Sequence, residues 1–198
     1  NASGMCCGVS KNSYHTTRYI RFILPNGNSF TTESDADYSR FEAECPELFQ
    51  TLQELKQQIQ HNPELHDIIR HKYKTKNTVG YSVNAFIDFE HPLDILARLL
   101  IGAEGTLGFI AEAVLNTVPD YPAKSTALLY FPDIYAACQA IVPLTSSGAE
   151  AVELMDKASL RSIEHMAGVP AVIKTLPDKA AALLVEFQAN LPEEVQEK

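Results

Sequence analysis

The chain has 198 residues with 45% apolar and 21% charged side chains. That is room for one ordinary domain or two small ones, and too apolar a mix for a disordered chain. A polypeptide of this length buries about 70% of its unfolded surface, so neither disulfide nor metal staples are needed. The formal charge of −9, read as uninterrupted by any basic cluster, argues against nucleic acid as a partner. The longest apolar runs, Leu99–Ile101 and Ala180–Val185, fall far short of the roughly 20 residues that span a bilayer. Cys6 and Cys7 are adjacent and Cys45 and Cys138 isolated, with no C-x-x-C spacing. Reduced thiols in a cytoplasmic setting are expected, with no metal site. Asn1-Ala2-Ser3 matches a glycosylation sequon that nothing else supports. The start at Asn1, inside a glycine turn and without Met, suggests a piece of a longer protein.

In chain order, residues 1–16 read as a loop with tight turns at Gly4 and Gly8. Arg18–Leu24 alternates as a half-buried strand, Pro25-Asn26-Gly27-Asn28 turns the chain, and Ser29–Thr32 returns. From Ser34 the spacing becomes helical: Ser34 or Asp35 caps a series through Phe41, Leu48, Leu52, Leu55 and Ile59, broken near Pro46. Pro63 opens a further helix, so residues 35–73 form a helical excursion between strands. Lys72–Asn77 is basic and polar, and Gly80-Tyr81-Ser82 turns the chain again.

Pro92 opens a helix with a stripe of Ile95, Leu96, Leu99 and Leu100, ending at Gly102. Phe109–Val118 is a strand closed by Pro119 and Pro122, the best domain boundary in the chain. Beyond it the rhythm is β-α-β: strand Ala127–Phe131, helix Asp133–Val142, strand Ala151–Leu154, helix Lys157–Met166, strand Leu183–Phe187. This suits a ferredoxin-like layer lacking its last elements, with a frayed tail at Pro192–Lys198. The expected class is α+β.

Two segments attract chemical attention. In Ile101–Ile110 the glycines Gly102, Gly105 and Gly108 recur every third residue, between a helix and a strand. A Rossmann turn runs strand, glycines, helix, so a dinucleotide site of that type is disfavoured. Glycines clear side chains and let backbone N–H groups approach a ligand, with Glu104 able to hold either a neighbouring loop or a ligand hydroxyl. The same spacing equally serves a helix C-cap followed by a tight turn. The opening Ser3-Gly4-Met5-Cys6-Cys7-Gly8 with Asn12, Ser13 and Tyr14 offers small residues and polar donors, although by spacing alone it is an ordinary loop. His61, His66 and His71, five apart, share no helix face, and no G-x-S-x-G nucleophile motif occurs.

Gly80-Tyr81-Ser82 followed by Leu100–Glu112 resembles the signature of FAD-linked oxidases of the p-cresol methylhydroxylase and vanillyl-alcohol oxidase type, with Ala103 for the family's usual Ser and Phe109 for its usual Ile. The opening Asn1–Tyr14 looks like that family's glycine-rich loop near the flavin. Ala151–Lys157 and Leu183–Phe187 look like the start of its substrate-side domain. The set including Lys76–Tyr81 and the helical insertion is similar to large bacterial FAD-binding, iron–sulfur-fused D-lactate or D-2-hydroxyglutarate dehydrogenase-like proteins.

The resemblance implies that residues 1–122 are the second subdomain of the FAD-binding domain and 123–198 the beginning of the substrate domain. It implies FAD contacts from Ser3, Gly4, Met5, Gly8, Asn12, Ser13, Tyr14, Gly102, Glu104, Gly105, Thr106, Gly108, Phe109 and Ile110. It further implies oxidation of a small 2-hydroxy acid, a 4Fe-4S cluster outside this chain, and an oligomer as one possibility. Catalytic groups and the electron acceptor stay unassigned, and the segment alone is expected to be colourless and inactive. The alternative is a non-catalytic α+β interaction module that keeps the fold.

Overall fold

A computed structural model of the chain describes Gly4 and residues 7–196. It divides into two compact units, Asn1–Val118 and Pro119–Lys198. Both are α+β, each built on a three-stranded antiparallel sheet. The expected fold class is borne out.

In the first unit a short helix α1 (Ser13–Thr16) leads into β1 (Thr17–Ile23), which pairs with β2 (Ser29–Thr31) and β3 (Phe109–Leu115) in the order β2-β1-β3. The hairpin follows from local chemistry. Gly27 takes φ +88°, the Asn28 N–H bonds to the Asn26 side chain, and Leu24 and Asn28 close the turn at 2.9 Å. That register puts Phe22 opposite Phe30, both fully buried. Arg21 and Ile23 face outward, as the period of two requires.

The helical excursion is α2 (Asp35–Glu44), α3 (Pro46–Gln60) and α4 (Pro63–Lys72). Ser34 is the N-cap residue of α2, but its side chain makes no cap bond. Asp37 instead, 7% exposed, accepts the Thr31 N–H at 2.8 Å and pairs with Arg40. The rings of Phe22, Phe30, Phe41 and Phe49 form a chain of contacts 5.2–6.2 Å between centroids, joining sheet to excursion. Lys56 ties α3 to the loop before Pro92 through the Phe89 carbonyl at 2.6 Å and Glu90 at 2.8 Å. A short α5 (Ala85–Asp88) precedes α6 (Pro92–Leu100), whose Leu93, Ile95, Leu96, Leu99 and Leu100 are all buried in this core. His91 caps α6, its Nδ1 accepting the Leu93 N–H.

The second unit runs β4 (Ala123–Phe131), α7 (Ile134–Ser146), β5 (Ala151–Met155), α8 (Lys157–Ile163), a 3-10 turn at Ala171–Thr175, β6 (Ala181–Ala189) and α9 (Pro192–Gln196). The sheet order is β4-β6-β5, with β6 antiparallel to both neighbours. β4 and β5 are therefore parallel and β6 is inserted between them, a split β-α-β arrangement. Asp133 and Asp156 cap α7 and α8 by accepting N–H groups at 2.8 and 2.7 Å.

Several expected boundaries move. β4 starts at Ala123 rather than Ala127, because the polar Lys124–Thr126 stretch pairs with β6 although nothing in it alternates. α7 runs through Pro143 to Ser146; the ring costs one bond, but the Ser147 N–H still reaches the Pro143 carbonyl. α8 stops at Ile163 and β3 at Leu115. The tail expected to be frayed is helical from Pro192 to Gln196. His61 closes α3 whereas His66 and His71 lie on α4, so they never belonged to one helix.

Candidate functional site

The segment after α6 is shaped by its backbone. Gly102, Glu104 and Gly105 take φ +95°, +52° and +77°, and the Ala103 and Thr106 N–H groups close successive turns. Glu104 is the single non-glycine with positive φ among the described residues. Such a conformation costs an ordinary side chain about 1–2 kcal/mol. Gly108 has a different duty: a Cβ there would stand 2.9 Å from the Ile23 carbonyl oxygen and 3.3 Å from Leu100 Cδ2. Its hydrogen lets the chain enter β3 tight against β1. A Cβ at Gly105, by contrast, would meet nothing within 4 Å.

Between this segment, α1 and the β1–β3 face lies a cavity of about 510 Å³. Seven of the predicted residues line it: Ser13, Gly102, Glu104, Gly105, Gly108, Phe109 and Ile110. Ser13 reaches it from a position about ninety residues earlier in the chain. Thr17, Ile20, Leu100, Ile101, Ala113 and Leu115 complete the wall, which is thus largely apolar with polar backbone at one end. Phe109, 66% exposed, stands at the rim as a free aromatic face. Thr106 lies beside the site: its hydroxyl donates to the Ala103 carbonyl at 2.6 Å and meets the Tyr81 hydroxyl at 2.7 Å. A second cavity of similar volume, about 500 Å³, contains none of the predicted residues and is bordered by Leu24, Cys45, Leu48 and Leu96.

The opening segment divides in its roles. Ser3 and Met5 lie outside the described residues. The Gly4 carbonyl accepts from Lys76 Nζ at 2.7 Å, and Gly8 supplies a turn at φ +52°. Asn12 and Tyr14 do not line the cavity. Asn12 caps α1, and Tyr14 is buried with its hydroxyl 2.7 Å from Asp88. Burial and that carboxylate hold the Tyr14 phenol neutral by pushing its pKa far upward.

Arg98, which the sequence reading passed over, fixes α1 in place. Its guanidinium donates to the Tyr14 carbonyl at 2.6 Å and the Thr17 carbonyl at 2.8 Å, and stacks 4.8 Å over Phe89. Burial lowers its pKa, with nearby Asp94 and Asp88 opposing the shift. A lone cation inside the apolar run Leu93–Leu100 was the available signal. The expectation that no basic cluster interrupts the acidic balance fails at Arg70, Lys72, Lys74 and Lys76, all exposed on one short segment. No group of three or more metal-ligating side chains occurs among the described residues, and no described helix is long and apolar enough to cross a membrane.

Residues 121–198 match the family of FAD linked oxidases, C-terminal domain. The chain is 34% identical over 92 residues to the glycolate oxidase subunit GlcD of Bacillus subtilis (strain 168), covering 46% of this chain and 18% of that protein. It is 34% identical over 94 residues to the mitochondrial D-lactate dehydrogenase [cytochrome] of Arabidopsis thaliana, covering 46% of this chain and 16% of the relative. A D-lactate dehydrogenase of Anaerostipes hadrus shares 32% identity over 108 residues, 52% of this chain and 22% of its own length. The matches thus span about a fifth of these curated relatives. They bear out the resemblance to FAD-linked oxidases and dehydrogenases read from the sequence.

Proposed function

We propose that this chain forms part of a flavin-dependent oxidoreductase that oxidises a small 2-hydroxy acid of the D-lactate or D-2-hydroxyglutarate type. In this reading residues 1–122 are the second subdomain of an FAD-binding domain with its helical insertion at 35–73. Residues 123–198 begin the substrate domain, and electrons leave through an iron–sulfur half outside this chain. One observation carries it: Ser13 and the glycine segment Gly102–Gly108 border one cavity, the two stretches that the family resemblance had marked independently.

The site suits FAD on chemical grounds. The open space beside Gly105 admits a ligand to main-chain N–H groups, and Phe109, Ile110, Ile20 and Leu115 offer apolar area to a flat ring. FAD, when bound, supplies a two-electron acceptor for the hydride of the substrate's α-carbon. The chain's own contribution is to bind and orient. Ser13 and the Gly102–Gly105 backbone would hold polar groups of the cofactor, Glu104 would accept from a hydroxyl, and the apolar wall would exclude water. Arg98 and Asn12 act one step back, by holding α1 and with it Ser13.

The test uses the natural polypeptide that carries these residues. Wild type should purify yellow and its flavin absorbance should bleach with D-lactate or D-2-hydroxyglutarate. Gly105→Val, β-branched at φ +77° and filling the open side, should purify colourless with its circular dichroism retained. A fully flavin-loaded Gly105→Val protein refutes the site. A flavin-loaded wild type that neither acid bleaches refutes the substrate class.

A further inference from the structure

Ala103 and Thr106 close a four-residue turn, the Thr106 N–H on the Ala103 carbonyl at 3.0 Å, with Glu104 and Gly105 at its centre and both at positive φ. Two left-handed central residues are the signature of a type I′ turn, for which Asn-Gly and Asp-Gly are the preferred pairs. Glu lacks the short polar side chain of Asn and the freedom of Gly, so this turn forms against the preference of its first central residue. Contacts from outside the glycine segment offset that preference.

Those contacts are a line of hydroxyl groups. The Thr106 hydroxyl donates to the Ala103 carbonyl at 2.6 Å, the oxygen that also takes the Thr106 N–H, so its single hydrogen is spent. The Tyr81 phenol, 2.7 Å from the Thr106 oxygen, is therefore the donor between them. Tyr81 is fixed in turn by Tyr73, the C-cap residue of α4. The Tyr73 hydroxyl donates to the Tyr81 carbonyl at 3.1 Å and accepts the Val83 N–H at 3.2 Å. A strut Tyr73–Tyr81–Thr106–Ala103 thus joins the end of the helical excursion to the turn whose Glu104 and Gly105 border the 510 Å³ cavity. Hydrogen bonds in series polarise one another, which favours the whole line over its separate links. Neither tyrosine lines that cavity.

We infer that Tyr81 is a positioning residue for the flavin site, anchored by the end of the excursion: through the Thr106 hydroxyl it holds Glu104 and Gly105 in the left-handed turn that the cofactor meets. This role rests on the flavin reading above and gives the excursion a duty at a site whose wall it does not form.

The test uses the natural polypeptide, stripped of flavin, with Tyr81→Phe, which removes only the hydroxyl. Hydrogen exchange in peptides covering residues 101–107 should quicken about fivefold, as expected for one solvent-facing hydrogen bond, while β1 and α3 keep their wild-type exchange. The dissociation constant for FAD, read by flavin fluorescence, should rise by a similar factor, since the turn must be ordered before it binds. Glu104→Asn in the Tyr81→Phe background places the preferred Asn-Gly pair in the turn and should restore the slow exchange. A role of Tyr81 in packing alone would not be rescued there. Unchanged exchange in Tyr81→Phe, or no rescue by Glu104→Asn, overturns the strut. Faster exchange with unchanged FAD affinity overturns the positioning role and leaves the flavin reading standing. A wild type that binds no FAD overturns both, whatever the exchange shows.

Discussion

Substituting Gly108 by Ala places one methyl group where the glycine segment meets the sheet, and the size of the effect follows from the neighbours. The added Cβ would lie 2.9 Å from the Ile23 carbonyl oxygen, closer than real Cβ atoms approach backbone, and 3.3 Å from Leu100 Cδ2. The leucine can rotate; the carbonyl cannot, because Ile23 pairs with Phe109 in β3 and with Ser29 in β2. Relief therefore requires β3 to move off β1 at the end that borders the 510 Å³ cavity. Overpacking of this kind costs about 1–3 kcal/mol. Replacing glycine stiffens the unfolded chain and returns about 0.4–1 kcal/mol, leaving a net loss of about 1–2 kcal/mol. Urea unfolding followed by circular dichroism should show a lower midpoint at unchanged slope. Hydrogen exchange should speed up at Phe109–Ala111 and Arg21–Ile23. A Gly108→Ala protein as stable as wild type, with unchanged exchange there, would show that the close approach of β3 to β1 is not what this glycine serves.

Arg98→Met keeps the aliphatic packing on α6 but strips two donors from the Tyr14 and Thr17 carbonyls, and should cost about 2–3 kcal/mol. The matching observation is faster hydrogen exchange across residues 12–17, with α9 and β6 unaffected. For His91, burial lowers the imidazole pKa below its ordinary value near 6.5, with Asp94 and Glu42 opposing. The unfolded chain then binds the proton more readily, so stability is full above about pH 6.5 and falls as pH drops through the lowered value. Protonation also removes the Nδ1 acceptor that caps α6. His91→Asn, which retains a capping oxygen without the titration, should flatten the loss of urea midpoint between neutral and mildly acid pH; an equally steep loss would assign it to other groups.

The α+β class, the hairpin at Pro25–Asn28, the helical excursion and the stripe of α6 were all legible in the sequence. Each rests on local chemistry: positive φ at an Asn-Gly turn, periods of 2 and 3.6, and proline at helix starts. The glycine segment was also visible, because only glycine removes the side chain where backbone must turn left-handed or approach another strand. What each glycine does was not visible. Gly105 faces open space while Gly108 sits against the Ile23 carbonyl, a distinction that depends on which strand lies beside β3. Likewise the spacing Asn12-Ser13-Tyr14 said nothing of direction, and the fold sends Ser13 to the cavity and Tyr14 to Asp88.

Tertiary pairing also overrode the local signal in β4, where Lys124–Thr126 become strand only because Glu186–Gln188 of the central strand need partners for their backbone groups. The α5 turn and the Arg98 clamp belong to the same class: short or polar features whose energy comes from groups far apart in the chain. Sequence patterning determines the elements because it acts within a few residues. The cavity walls, the Tyr14 hydroxyl on Asp88, and the roles of the glycines arise where β1, α1, α5 and α6 meet, and only the folded chain brings them together.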